Sequence, residues 1–200
     1  NGTTSVTGGA LSFNDGGTLT SLGAIVVKGG TLTLTSGEAV TVPTLTMNVN
    51  GVAAIAGTDT VTLTGTATKS GAGAATISTP FNNQGLVNVQ TGTLVLAGTG
   101  TSTGGTFTVP GTLEFANDYT LDSNSHLTGV GTVRFTNGTV TSNGEYDVGT
   151  TEIAGGTAVI NGSETATLIL SSGTLSGSGT LTVTGTTTWS GGTMSGAGIT

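Results

Sequence analysis

The side chains able to do acid-base or electrostatic chemistry are few. The 200 residues include ten carboxylates, Asp15, Glu38, Asp59, Glu114, Asp118, Asp122, Glu145, Asp147, Glu152 and Glu164, against three cations, Lys28, Lys69 and Arg134, and a single histidine, His126. Glycoside hydrolysis needs two carboxyl groups about 5 to 9.5 Å apart across a cleft. Only Glu114, Asp118 and Asp122 are dense enough to suggest such a pair, with Glu145 and Asp147 following later in the chain. A lyase would need clustered lysine or arginine, which three scattered cations do not supply. A metal centre draws several His, Cys or carboxylate ligands together. The chain has no cysteine and no second histidine, and it lacks the Gly-Gly-x-Gly-x-Asp string of calcium-binding β-rolls. The residue types therefore predict no catalytic, cofactor-binding or metal-binding residue. The acids read as solvated and His126 as a surface or corner residue.

The aromatic residues lead the same way. Trp189 stands beside Ser190-Gly191-Gly192, and neither Tyr119 nor Tyr146 belongs to an aromatic array, so all three read as packing residues and not as sugar platforms. Asn1, Asn137 and Asn161 each open an Asn-x-Ser/Thr sequon, and each is also an Asn-Gly pair, which tight turns favour.

The elements that must carry these residues are read from a repeat. Gly-Thr-apolar triplets recur, at Thr18, Thr31, Thr93, Thr106, Thr112, Thr132 and onward, with spacings near 6, 13 and 20 residues. A fixed period in this range marks a solenoid. Short alternating runs such as Thr31-Leu32-Thr33-Leu34-Thr35 put Leu and Val on one face and Thr on the other, the period of a strand. The expected fold is all-β, a parallel β-helix with three short sides per coil of about 20 residues, running through residues 1–200 as one domain or as a segment of a longer array. Nine or ten coils at about 4.8 Å each would make a rod on the order of 45 Å long.

The expected register stacks Leu19, Val40 and Val61; Leu113 and Val133; Phe115 and Phe135; Val133 and Ile153; Val140 and Ile160; and Val148 and Leu168. It also sets Glu114 beside Arg134 as an outward ion pair. Two interruptions are expected: a wider corner or loop between two stacks of coils at Thr68 to Gly85, which contains Pro80, and a lengthened polar turn at Asn161 to Thr167.

Composition narrows the partners. A net charge of −7 repels phosphate backbones and anionic lipid, so nucleic acid is not an expected partner. No apolar run approaches the roughly 20 residues of a spanning helix, and eight aromatic residues cannot supply barrel girdles, so no membrane insertion is expected. The chain begins at Asn1 without a visible signal peptide, and neither end offers an amphipathic cap. Self-association end to end or laterally is therefore an expected partner mode.

Three stretches carry a family resemblance: Phe81-Asn82-Asn83-Gln84-Gly85-Leu86-Val87-Asn88-Val89, Gly129-Val130-Gly131-Thr132-Val133-Arg134-Phe135, and Gly179-Thr180-Leu181-Thr182-Val183-Thr184-Gly185 with Trp189-Ser190-Gly191-Gly192-Thr193-Met194. Over about 120 residues the chain resembles the β-helical repeats of large bacterial extracellular surface proteins, the haemagglutinin-like and autotransporter-type adhesins. The resemblance implies a right-handed β-helix at the cell surface or outside the cell, serving as stalk, fibre subunit, biofilm-matrix component or adhesin, and it carries over no catalytic residue. The expected function is a non-enzymatic structural element. The alternative is an adhesin binding glycan or protein through the two interrupting loops. An ice-binding Thr-x-Thr face ranks lower, because Thr18/Thr20, Thr31/Thr33 and Thr44/Thr46 fall on different sides of the coil. A polysaccharide-degrading enzyme also ranks below these.

Overall fold

A computed structural model of the chain describes residues 2–14 and 19–198. Asn1, Asp15 and Thr18, named above, lie outside the described residues. Every element among the described residues is a β-strand, and all pairings are parallel. Alternating Thr and Val explains the choice: β-branched side chains fit a pleated surface, and the interspersed glycines turn the chain between strands. The result is a β-solenoid of about nine turns with roughly 20 residues per turn.

One coil shows the plan. Strands β13 (Thr106–Thr108), β14 (Thr112–Phe115) and β15 (Tyr119–Leu121) form its first, second and third faces. β13 is flanked by β10 (Leu86–Val89) and by the start of β16 (His126–Phe135). β14 lies between β11 (Thr93–Leu96) and the end of β16. β15 lies between β12 (Gly100–Ser102) and β17 (Thr139–Ser142). Each face is thus a continuous ladder along the rod.

The register agrees with expectation through the middle of the chain and departs from it at both ends. Val40 faces Val61, Leu113 faces Val133 and Phe115 faces Phe135. Leu19 is one residue out: Ser21 bridges Thr41, which sets Thr20 and not Leu19 against Val40. Later, Val133 faces Thr151 while Phe135 faces Ile153, Val140 faces Ala158, and Val148 faces Thr165 while Leu168 faces Thr151. The cause is a set of shrinking corners. Residues 122–125 join the third face to the first in one coil, whereas only Asn143 and Gly144 do so in the next, so His126 faces Glu145, 19 residues on. Gln90, Thr91 and Gly92 likewise turn the chain between the first and second faces early on, whereas Gly149 alone separates Val148 from Thr150 later. Asp147 faces Glu164, only 17 residues on.

Both expected interruptions are corrected by the structure. Residues 68–85 contain the end of β7 (Val61–Ser70), β8 (Ala74–Ile77) and β9 (Phe81–Asn83), each paired in the ladder. Pro80 is accommodated at a corner, where a missing N–H breaks no ladder bond. The Asn161 to Thr167 turn is not lengthened, because β19 (Ser163–Ser176) already begins there.

The interior is a column of Leu, Val, Ile and aromatic side chains. Phe107, Phe115 and Tyr119 enter one coil from its three faces, with ring centroids 5.2 to 6.2 Å apart, and Phe115 stacks on Phe135 at 5.7 Å. Gly100 stands opposite both Phe81 and Tyr119, and a Cβ there would lie 2.7 Å from the Tyr119 ring. The missing side chain is the space that ring fills. Burial pushes the Tyr119 and Tyr146 phenols up. Each hydroxyl is satisfied, that of Tyr119 by donating to the Thr101 carbonyl at 2.9 Å and that of Tyr146 at the Thr151 hydroxyl, 2.6 Å away.

Asp59 shows how a corner is closed. It is 3% exposed, and its carboxylate accepts the Ser36 amide and hydroxyl, both at 2.7 Å, and the Gly37 amide at 2.9 Å. Burial alone would push its carboxyl up, but the Ser36 hydroxyl and the Gly37 and Ser36 amides outweigh burial and hold it below its ordinary value of 3.8. A carboxylate depressed in the folded state stabilises the fold above the unfolded pKa and loses that contribution as pH falls through the folded one. Asp59→Asn is expected to cost about 2 kcal/mol at neutral pH, since bonds to a charged acceptor contribute about 1.5 to 3 kcal/mol. The gap to the parent should close in melts taken progressively below pH 3.8. A gap that stays constant into acid would refute the clamp.

Candidate functional surface

The carboxylates singled out in the sequence do not converge. Glu114 projects from the second face, while Asp118 and Asp122 sit at opposite ends of the short strand β15, and Glu145 and Asp147 lie exposed on the first face. The two aspartates serve the backbone. Asp118 accepts the Thr139 amide at 2.7 Å, tying its corner to the next coil. Asp122 accepts the Gly104 and Asn124 amides, each at 3.1 Å, and the Ser125 hydroxyl at 2.7 Å, and these bonds, the Gly104 amide foremost, hold its carboxyl below the ordinary range. A general acid needs a raised pKa, and Asp122 is shifted the other way.

Glu114 and Arg134 are neighbours across the ladder, as the spacing predicts, but Arg134 has a better partner. Its guanidinium donates two bonds to Glu152, at 2.9 and 3.2 Å, while Glu114 lies 3.8 Å away. The Glu152 bonds, despite partial burial, together with the charges of Glu152 and Glu114, push the Arg134 pKa up. The sequence signal for Glu152 existed: it occupies the same outward position one turn later, hidden by the shortened coil. Because Arg134 is 42% exposed, the triplet contributes on the order of 1 kcal/mol or less.

His126 lies on the outer first face with its Nδ1 2.6 Å from Glu145, about half exposed, in keeping with a surface residue. No group of three or more His, Cys, Asp or Glu able to hold a metal occurs among the described residues. Trp189 is 58% exposed near the C-terminal end of the described chain, and its Nε1 donates to the Gly192 carbonyl at 3.4 Å. It continues the inward column of Phe115, Phe135, Ile153 and Leu170, as a packing residue would, and lies on the last full rung of the described chain.

Lys69 is the surprise. It is 2% exposed, and its ammonium donates to the carbonyls of Ser70 at 3.0 Å, Gly71 at 2.9 Å and Thr91 at 3.0 Å, with no carboxylate partner among the described residues. Burial lowers its pKa. Its phase was readable: Thr66, Thr68 and Ser70 point outward, so Ala67 and Lys69 point inward. All three of its donors are used, and they join the corners of two successive coils. It staples the fold and is not free to act as a base.

Threonine dominates the exterior without forming a uniform lattice. Thr93, Thr112, Thr132, Thr150, Thr167 and Thr186 make a six-rung column on the second face. The neighbouring outward column reads Val95, Glu114, Arg134, Glu152, Ile169, Thr188. Thr31/Thr33 and Thr44/Thr46 occupy the second and first faces respectively. An outer depression of about 500 Å³ lies at the narrowed corner, floored by Gly149 and Ala166 and edged by Val130, Thr184, Asp147 and Glu164. It is open to solvent. No helix of the described chain is long and apolar enough to cross a membrane. No family model matches the chain, and no curated protein or solved structure matches it either.

Proposed function

We propose that this chain is a non-enzymatic structural element, an extracellular β-solenoid rod that acts as a stalk or fibre subunit of a bacterial surface or matrix. The observation that carries this reading is the division of labour in the coil. Every face is an unbroken parallel ladder over an apolar column. Meanwhile several charged side chains are spent on corners and rungs: Asp59, Asp118 and Asp122 on backbone amides, Lys69 on carbonyls, Arg134 on its ladder neighbours. Rung-to-rung hydrogen bonds sum along the axis, as nearest-neighbour terms do in repeat proteins, and give stiffness without disulfides or metal. A surface rich in Thr with little charge weakens repulsion between rods and favours lateral association. Binding through protruding loops loses its support, since both segments expected to supply them are ladder strands. An ice-ordering face is likewise disfavoured by the ion triplet beside the threonine column.

Negative-stain electron microscopy of the purified protein at physiological salt tests the proposal. Uniform fibres or laterally bundled rods are the expected result. Separate rods that do not associate at any concentration, together with saturable binding on a glycan array, would overturn it in favour of an adhesin.

A further inference from the structure

The described chain holds four Asn-Gly pairs, at Asn50, Asn137, Asn143 and Asn161, and their side chains are treated very differently. Asn161 is held at both ends of its amide: its Nδ2 donates to Asn143 at 2.8 Å, and its Oδ1 accepts the Ser178 amide at 2.9 Å and hydroxyl at 3.1 Å. Asn143 supplies the acceptor of that first bond. Asn50 accepts the Ala72 amide at 3.4 Å. Asn137 is exposed at the corner between the second and third faces, and its side-chain amide makes no hydrogen bond among the described residues. The backbone on either side is anchored, Thr136 N to the Phe115 carbonyl at 3.0 Å and Thr139 N to Asp118 at 2.7 Å, while no hydrogen bond claims the Gly138 amide between them.

We infer that Asn137-Gly138 is a self-modification site, at which the folded protein converts asparagine to aspartate or isoaspartate faster than at the other Asn-Gly pairs of the described chain. The Gly138 nitrogen gives up its proton and attacks the Asn137 side-chain carbonyl carbon. The new C–N bond forms as the bond from that carbon to Nδ2 breaks, and Nδ2 leaves as ammonia carrying a proton. Water then adds to either carbonyl of the succinimide, reopening the ring as aspartate or, with one extra methylene in the main chain, as isoaspartate. Nothing is oxidised or reduced, and water is the only co-reactant. Glycine suits the step because it has no side chain to crowd the attacking nitrogen.

The product would not be silent. The corner packs against Asp118, since a Cβ on Gly138 would lie 2.8 Å from its carboxylate oxygen, so a carboxylate at 137 adds negative charge to a corner that already borders one. The corner is also sandwiched from the other side. A Cβ on Gly156 would lie 2.7 Å from the Asn137 carbonyl carbon, and Thr157 N donates to the Gly138 carbonyl at 2.7 Å. Isoaspartate lengthens a corner with no slack and loosens the stack at that coil, so the conversion both charges the rod and marks its age.

The test is incubation of the full chain in mildly alkaline buffer made with heavy-oxygen water, followed by peptide mapping with fragmentation that separates aspartate from isoaspartate. Each amide hydrogen bond that must first break slows conversion by about fivefold. Asn137 should therefore convert faster than Asn50 by about that factor, and faster than Asn161 by ten-fold or more. The same four pairs should converge to one rate in denaturant, which locates the selectivity in the fold. Equal rates in the folded chain, or conversion led by Asn50, Asn143 or Asn161, would overturn the assignment.

Discussion

Val133→Asp should abolish the cooperative melt of the coils around it. Val133 is completely buried, stacked between Leu113 and Thr151, and faces the interior of the coil whose next inward residue is Phe135. A carboxylate there meets no cation, since Arg134 beside it points outward to Glu152 and Lys69 is committed to three carbonyls. Losing the valine's burial costs about 1.5 to 3 kcal/mol, and burying an uncompensated polar group costs several more. The sum, about 5 kcal/mol, is comparable to the whole stability of an ordinary domain. Thermal unfolding followed by far-UV circular dichroism is the measurement. The adjacent outward change Arg134→Gln, expected to shift stability by about 1 kcal/mol or less, is the control. Equal effects at 133 and 134 would mean that the alternation has the wrong phase.

That phase was the most legible part of the chain. A period of two fixes which side chain enters the core, so Leu113, Val133, Phe115 and Phe135 fall where alternation puts them. The coil length was less legible, because it is not constant. Corners carry no hydrophobic signal, and corners that shrink to Asn143-Gly144 and to Gly149 shift the later pairings without altering the look of any strand. A constant period therefore pairs Val148 with Leu168, whereas it faces Thr165. The buried polar residues were hidden for a different reason. Lys69 and Asp59 are interior because corner backbone offers them carbonyls and amides, and such partners leave no mark in residue type. Pro80 reads as a loop signal because proline usually leaves a ladder, yet a corner costs it nothing. Asp118 and Asp122 are close in sequence and apart in space because a strand runs between them.

Gly57→Ala should be the second most damaging small change, and its cost separates two reasons for glycine at a corner. Gly57 has φ of +123°, and a Cβ there would lie 1.9 Å from the Leu34 carbonyl oxygen on the neighbouring coil. That oxygen accepts the amides of Thr58 at 2.9 Å and Asp59 at 3.2 Å, so displacing it breaks both bonds and tilts the carboxylate clamp on Ser36. Gly37 also has positive φ, +86°, but a Cβ on it would meet nothing within 4 Å. Gly37→Ala thus incurs backbone strain alone, about 1 to 2 kcal/mol. Gly57→Ala adds a backbone collision and the loss of two hydrogen bonds, about 4 kcal/mol in total. Denaturant melts of the two variants should show the larger drop at 57, and Asp59→Asn should be partly redundant with it, because both dismantle one corner. Equal losses at 37 and 57 would mean that the coils do not approach closely at this edge, and that the rod tolerates a wider corner than its ladder implies.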